Sequence, residues 1–187
     1  MTTHSRSTGF VLGAATVAMG LIAGVYYIFA CCVMPALARS DDRVYVEVMR
    51  NINDVIQNPV FFLGFMGALL LTAVSSWQLR GRPYRWWVWA ALAAYALGFL
   101  TTVTVNIPLN DDLAGMKDPT AAREHFEQAW VAWNVVRAGL STVALGCLAR
   151  ALMLYGRATS GTSERRADVF SPSWGSPRSS EAESGGV

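Results

Sequence analysis

Phe10 to Leu37 reads FVLGAATVAMGLIAGVYYIFACCVMPAL, and none of these residues carries a charge. About 20 apolar residues suffice to cross the hydrocarbon of a bilayer, so this stretch predicts a transmembrane helix. A cleaved signal peptide is the competing reading, because His4 and Arg6 precede the block and Ala36-Leu37-Ala38 resembles a cleavage site. The apolar region of a signal peptide runs to about 7–15 residues; this block is far longer, and the expectation is a retained span. Gly20 and Gly24 form a G-x-x-x-G pair, continued by Gly13, and that spacing admits a second helix at close range.

After Leu37 the chain turns mixed in charge. Val44, Val48, Ile52, Val55 and Ile56 recur at helical spacing, which predicts an amphipathic surface helix from Asp41 to Gln57. Asn58-Pro59 reads as a cap followed by a first-turn proline, opening a second span over 59–79. Arg80, Arg82 and Arg85 then surround Gly81 and Pro83, and Trp86, Trp87 and Trp89 mark an interfacial aromatic belt. A third span over 86–106 is expected to close before Pro108. Residues 107–128 are acidic, and Asp118-Pro119 signals a helix that continues into a fourth span over 129–155. From Arg157 the chain is rich in Ser, Gly and Pro and without periodicity, so 157–187 is expected to be a disordered tail.

These elements predict an all-α fold, a four-helix transmembrane bundle over 1–156 with an amphipathic extracytoplasmic helix between spans 1 and 2. Of 187 residues 53% are hydrophobic and only 15% charged, against about a quarter charged in a soluble domain. Such a length leaves room for one bundle and no second domain. The loop between spans 2 and 3 holds three arginines and no acid, whereas the flanking loops mix five basic with nine acidic residues. Basic residues stay on the cytoplasmic side, so both termini are expected there, in a bacterial inner membrane. Cys31 and Cys32 sit about 15 Å along the bundle from Cys147, too far for a disulfide, and read as small packing residues.

Arg137 is the most informative polar position. It lies seven residues past Trp130, about 10 Å below the belt that Trp130 and Trp133 suggest. A charge at that depth costs several kcal/mol if it faces lipid, so it is expected to face the bundle interior with a partner. Trp130, Asn134, Arg137 and Ser141 form one polar stripe on an apolar helix. Two readings stay open: a structural arginine that ties helices together, and a functional one. In N-I-P-L-N-D-D, Asn106 reads as a C-cap, Pro108 as a stop and Asn110 as a turn residue. Yet Tyr95, Phe99, Thr102 and Asn106 share a face that could turn Asn106 towards Arg137. Asn51, Asn53, Gln57 and Asn58 either cap the second span or hydrogen-bond a ligand oxygen.

His125 is a candidate general base by residue type, against the blander reading of a surface histidine with no role. It has no second histidine on its side of the membrane, which excludes a bis-histidine haem within the chain. With Glu124, Glu127 or Asp111 it makes no recognisable metal spacing, so no metal is expected. No phosphate loop, G-x-S-x-G, H-E-x-x-H or C-x-x-C occurs, and nothing suggests nucleic acid as a partner.

Four stretches resemble the anthrone oxygenase family, a group of small four-span integral membrane proteins. They are V-M-P-A-L at Val33 to Leu37, M-R-N-I-N-D-V-I-Q-N-P at Met49 to Pro59, N-I-P-L-N-D-D-L at Asn106 to Leu113, and W-V-A-W-N-V-V-R at Trp130 to Arg137. They touch all four spans. Many members of that family carry histidine between the Asn and the Arg, where this chain has Val135, so a base supplied from that position would be absent here. The resemblance implies a cofactor-independent monooxygenase acting on an anthrone or quinone-type aromatic at the extracytoplasmic side. Such chemistry needs a dry slot, a base, and donors aimed at a developing oxyanion. Arg137, Asn134 and Asn106 would be the donors and His125 or Asp111 the base. Asn110, Trp130, Trp133, Asn53 and Tyr95 would line the slot beside Asn106. The alternative is a non-catalytic bundle that binds a lipid or small molecule, or serves in a homo-oligomer or membrane complex. A transporter fits less well, with few spans and no inverted repeat.

Overall fold

A computed structural model describes the backbone of residues 2–170 and the side chains of residues 7–161. Among the described residues there is no strand, and four helices are long and apolar enough to cross a membrane. The chain is a multi-pass membrane protein built as an all-α four-helix transmembrane bundle.

The first rod comprises α1 (Thr2–Ile28), a π-helical turn (Phe29–Val33) and α2 (Met34–Leu37). After a short turn comes the amphipathic α3 (Asp42–Ile56), then α4 (Pro59–Gln78). The third rod joins α5 (Arg85–Thr101), a second π turn (Thr102–Asn106) and α6 (Ile107–Gly115), and the fourth is α7 (Pro119–Phe170). Local chemistry sets the starts. Asp41 accepts the Val44 N–H at 3.0 Å and so caps α3, while Asn58 accepts from both Val60 and Phe61 at 3.0 Å and caps α4. Each cap satisfies backbone donors that a helix leaves unpaired at its first turn.

Pro108 does not close the third span. The helix passes through it and runs on to Gly115, so Asn106 is no C-cap and Asn110 no turn residue. A helical proline lacks the N–H that reaches back four residues, and its ring crowds the carbonyl there. The π turn immediately ahead widens the helix by one residue, and the carbonyl facing the ring is shifted. The same device precedes Pro35 in the first rod. Around the second π turn the hydroxyls of Thr101, Thr102 and Thr104 donate to the carbonyls four residues back at 2.9, 3.0 and 2.9 Å. Those bonds give each hydroxyl a backbone partner within the apolar span. The fourth helix continues past Arg157, where a disordered tail is expected, as far as Phe170; residues 171–187 of that expected tail lie outside the described residues.

Packing divides the bundle into two apolar clusters. The larger runs down the four rods and includes Leu12, Met19, Phe65, Val88, Tyr95 and Leu148. The smaller gathers Met34, Tyr45, Met49, Leu113, Phe126 and Trp130 under α3. On α3 the side chains turned inwards are Tyr45, Val46 and Met49, whereas Val44 and Val55 stay exposed. Two arginines clamp α3 in place. Arg50 donates to the Leu113 carbonyl (3.0 and 2.7 Å) and to that of Met116, at the end of α6. Arg123 on α7 binds Asp42 at 3.1 Å and the Ser40 and Ala38 carbonyls at 2.9 and 3.0 Å. Of the first-span glycines, Gly20 meets Leu145 of α7, which stands 3.7 Å from where a Cβ would be. Gly13 and Gly24 face open space, so they do not extend a close helix contact.

Candidate functional site

The polar stripe of α7 faces the interior, because Trp130, Asn134, Arg137 and Ser141 recur at nearly whole turns and the rest of that helix face packs in the core. Arg137 is 5% exposed and Asn134 1%. The Asn134 amide donates to the Tyr26 carbonyl of α1 at 3.1 Å, and its own oxygen accepts from Arg137 Nη2 at 3.1 Å. Arg137 Nη1 reaches Thr102 Oγ1 at 3.4 Å, and the Tyr26 hydroxyl lies 3.4 Å from the same oxygen. The guanidinium carbon stands 4.5 Å from the Tyr26 ring centre and 5.4 Å from that of Trp130. A cation over aromatic faces gains most where it is desolvated.

What the guanidinium lacks is a counter-charge. Among the described residues the ion pairs involve Arg123 and His125, and Arg137 Nε is buried without a hydrogen-bond partner. A buried charge is ordinarily paired, so its neutral partners leave it able to hold an anionic or strongly polarised oxygen.

Arg137 borders a cavity of about 210 Å³ at the α3 end of the bundle. Asn134, Trp130, Asn110, Asp111 and Asn53 line it with Tyr26 and Thr102, and Phe61, Phe62 and Phe65 of α4 form an aromatic wall. Phe61 and Phe65 stack at 5.7 Å between ring centres, and Phe65 and Phe99 at 5.0 Å. Trp130 Nε1 donates to Asn110 Oδ1 at 2.9 Å, which fixes one rim of the cavity. The volume lies below the about 300–1,000 Å³ of sites for drug-sized ligands, and suits one compact flat ring system.

Not every expected residue is there. His125 lies elsewhere: it is exposed and 3.3 Å from Asp112. Nine residues separate it from Asn134, about two and a half turns, which puts the two on opposite helix faces. Trp133 is 41% exposed and borders no part of the cavity. Tyr95 donates to the Phe65 carbonyl at 2.9 Å and packs edge-on against Phe65, a core contact behind the aromatic wall. Asn106 is 1% exposed, and both its amide atoms are without a partner, but it is not among the lining residues. Tyr45 is buried, and burial holds its phenol well above the usual range, so it stays a neutral hydroxyl. Among the described residues no group of three or more His, Cys, Asp and Glu side chains could hold a metal ion.

Sequence reasoning did not assign Tyr26 or Thr102 to the site. Thr102 shares a helix face with Asn106, and Tyr26 is an aromatic hydroxyl deep in an apolar span; both are signals, but neither says which helix will face Arg137.

Comparison with known proteins bears on this arrangement. A family described as Anthrone oxygenase matches residues 55–147, from the end of α3 into α7. The chain belongs to the anthrone oxygenase family. The matched segment contains Arg137, Asn134, Asn110 and Asp111 but not Tyr26 or Asn53. No curated protein and no solved structure matches the chain. Val135, the position at which the resemblance raised a histidine, is 52% exposed and outside the cavity. A side chain at that position faces away from the Arg137 network, so valine there takes no base from the cavity.

Proposed function

We propose that this anthrone oxygenase family member oxidises a lipophilic anthrone or quinone-type aromatic with dioxygen in the cavity beside Arg137. One observation carries the reading: a buried guanidinium with neutral partners borders an aromatic-walled cavity whose lining also includes the exposed carboxylate of Asp111. The benzylic proton of an anthrone is acidic, because the carbanion delocalises into the rings and the ketone oxygen. Asp111 takes that proton, and Arg137 with Asn134 stabilises the charge that develops on the oxygen. Preorganised donors aimed at developing charge supply a large part of the rate enhancement of many enzymes. The carbanion adds dioxygen at its carbon, and the protonated peroxide loses water to leave the second carbonyl. Anthrone plus O2 thus gives anthraquinone plus H2O, with atoms and electrons balanced and no other reductant.

Orientation follows from the arginines between spans 2 and 3. They support a bacterial inner-membrane protein with both termini cytoplasmic and the cavity at the extracytoplasmic side, where an apolar substrate arrives from lipid.

The test is turnover. Purified protein in nanodiscs, given anthrone under air, is expected to form anthraquinone faster than the spontaneous reaction and with one O2 consumed per product. Folded protein that adds nothing to the spontaneous rate would overturn the oxygenase reading and leave a non-catalytic binder.

A further inference from the structure

A second hollow adjoins the first. It is an open groove of about 620 Å³ between α1, α3 and α4, and it shares Val25, Phe29, Ile56 and Phe61 with the cavity. The two differ in chemistry. The cavity offers a guanidinium, a carboxylate and several amides, whereas along the groove Val48, Ile52, Val55 and Val60 present hydrocarbon, with Asn51 and Asn58 the polar side chains. Val55 and Val60 are 73% and 81% exposed. Apolar side chains in that position gain from a hydrocarbon cover.

Continuity decides the occupant. The groove reaches the same shared residues that border the aromatic cavity, and the cavity is too small for a large ligand. We propose that the ligand has two parts: a compact ring head whose acidic or ketonic oxygen faces Arg137, and a single linear hydrocarbon tail that lies in the groove between α1, α3 and α4. The substrate class is therefore a tailed aromatic amphiphile, an anthrone or quinol ring that carries an alkyl or isoprenoid chain. This rests on the reading of the cavity as a substrate site. Phe29, Ile56 and Phe61 would separate head from tail, being common to both walls.

The probes are 2-decyl-1,4-naphthoquinol and tailless 1,4-naphthoquinol, titrated anaerobically by calorimetry into the full chain in nanodiscs of one lipid composition. Val55→Trp and, separately, Val60→Trp fill the groove from two different helices without touching the cavity lining. Both are checked for native elution and thermal unfolding, so that one suffices if the other misfolds. Because wild type and variant share one membrane, partitioning of the tail cancels. The decyl probe is expected to weaken by about tenfold or more in a folded variant, because the indole leaves the tail no place in the groove, while the tailless probe keeps its affinity. Three results overturn the proposal: the decyl probe unchanged in a folded variant, both probes weakened alike, or no binding of the decyl probe by wild type. Lipid chains then fill the groove instead. Binding is read without turnover, so the oxygenase reading fails separately, by absence of anthrone oxidation in a protein whose decyl probe still responds to the groove variants.

Discussion

At the scale of single residues, Arg137 differs from the other charged side chains among the described residues in being both buried and free of a carboxylate. Arg123, by comparison, holds Asp42 and Glu127 at 3.1 and 2.7 Å. If Arg137 stabilises a developing oxyanion, Arg137→Leu is expected to lower kcat by about 10²–10³, the loss seen when such a donor is removed. Arg137→Lys should keep part of the activity, since it retains the charge but loses the planar fork that reaches Asn134 and Thr102 together. Full turnover in the leucine variant would make the guanidinium a packing element. Asp111 borders the same cavity and His125 does not, which separates the two candidate bases. Asp111→Asn should reduce the anthrone-dependent rate by about 10²–10⁴, whereas His125→Ala should leave it unchanged; the reverse pattern in a steady-state assay would move the base out of the cavity.

At the scale of elements, the two π turns and the clamped α3 place the site. The second π turn carries Thr102, and the rod continues through Pro108 far enough to bring Asn110 and Asp111 over the cavity. A helix stopped at Asn106 would leave that rim without them. The amphipathic α3 contributes Asn53 and Ile56, and its seat depends on Arg50 reaching the α6 carbonyls. Arg50→Met keeps much of the apolar stem but removes the donors, leaving the Leu113 carbonyl without this partner. A loss of about 1.5–3 kcal/mol is expected for hydrogen bonds from a charged group, read as reduced resistance to thermal or denaturant unfolding in detergent. Unfolding unchanged from wild type would show that α3 is held by its apolar face alone, through Tyr45, Val46 and Met49.

At the scale of the whole molecule, the bundle puts its water-compatible chemistry at one end and closes the other with apolar packing around Leu12, Val88 and Leu148. The cavity and the acidic stretch 107–128 share the α3 end, and the arginine loop between α4 and α5 marks the opposite one. Reporter fusions after Val187 and within that arginine loop are expected to read cytoplasmic, and fusions near Met116 extracytoplasmic. Replacing Arg80, Arg82 and Arg85 by Gln should loosen or invert that topology, because no acid in the loop contributes to the bias. An unaltered topology in the triple variant would place the decision in another segment.

Hydrophobicity is a local property of composition, and for that reason four apolar blocks, the amphipathic helix and the cap at Asn58 were legible from the residues alone. The inward-facing stripe of α7 was equally legible, because Trp130, Asn134, Arg137 and Ser141 share a face of one helix by angle. A helical wheel, however, carries no information on how one helix is rotated against the next. Only tertiary packing decided that Tyr26 and Thr102 complete the Arg137 network, that Asp111 faces the cavity while His125 faces away, and that Tyr95 and Trp133 stand apart from it. Proline misled for a related reason: by local rules Pro108 ends a helix, yet a π turn stands just ahead of it and the chain runs on as helix.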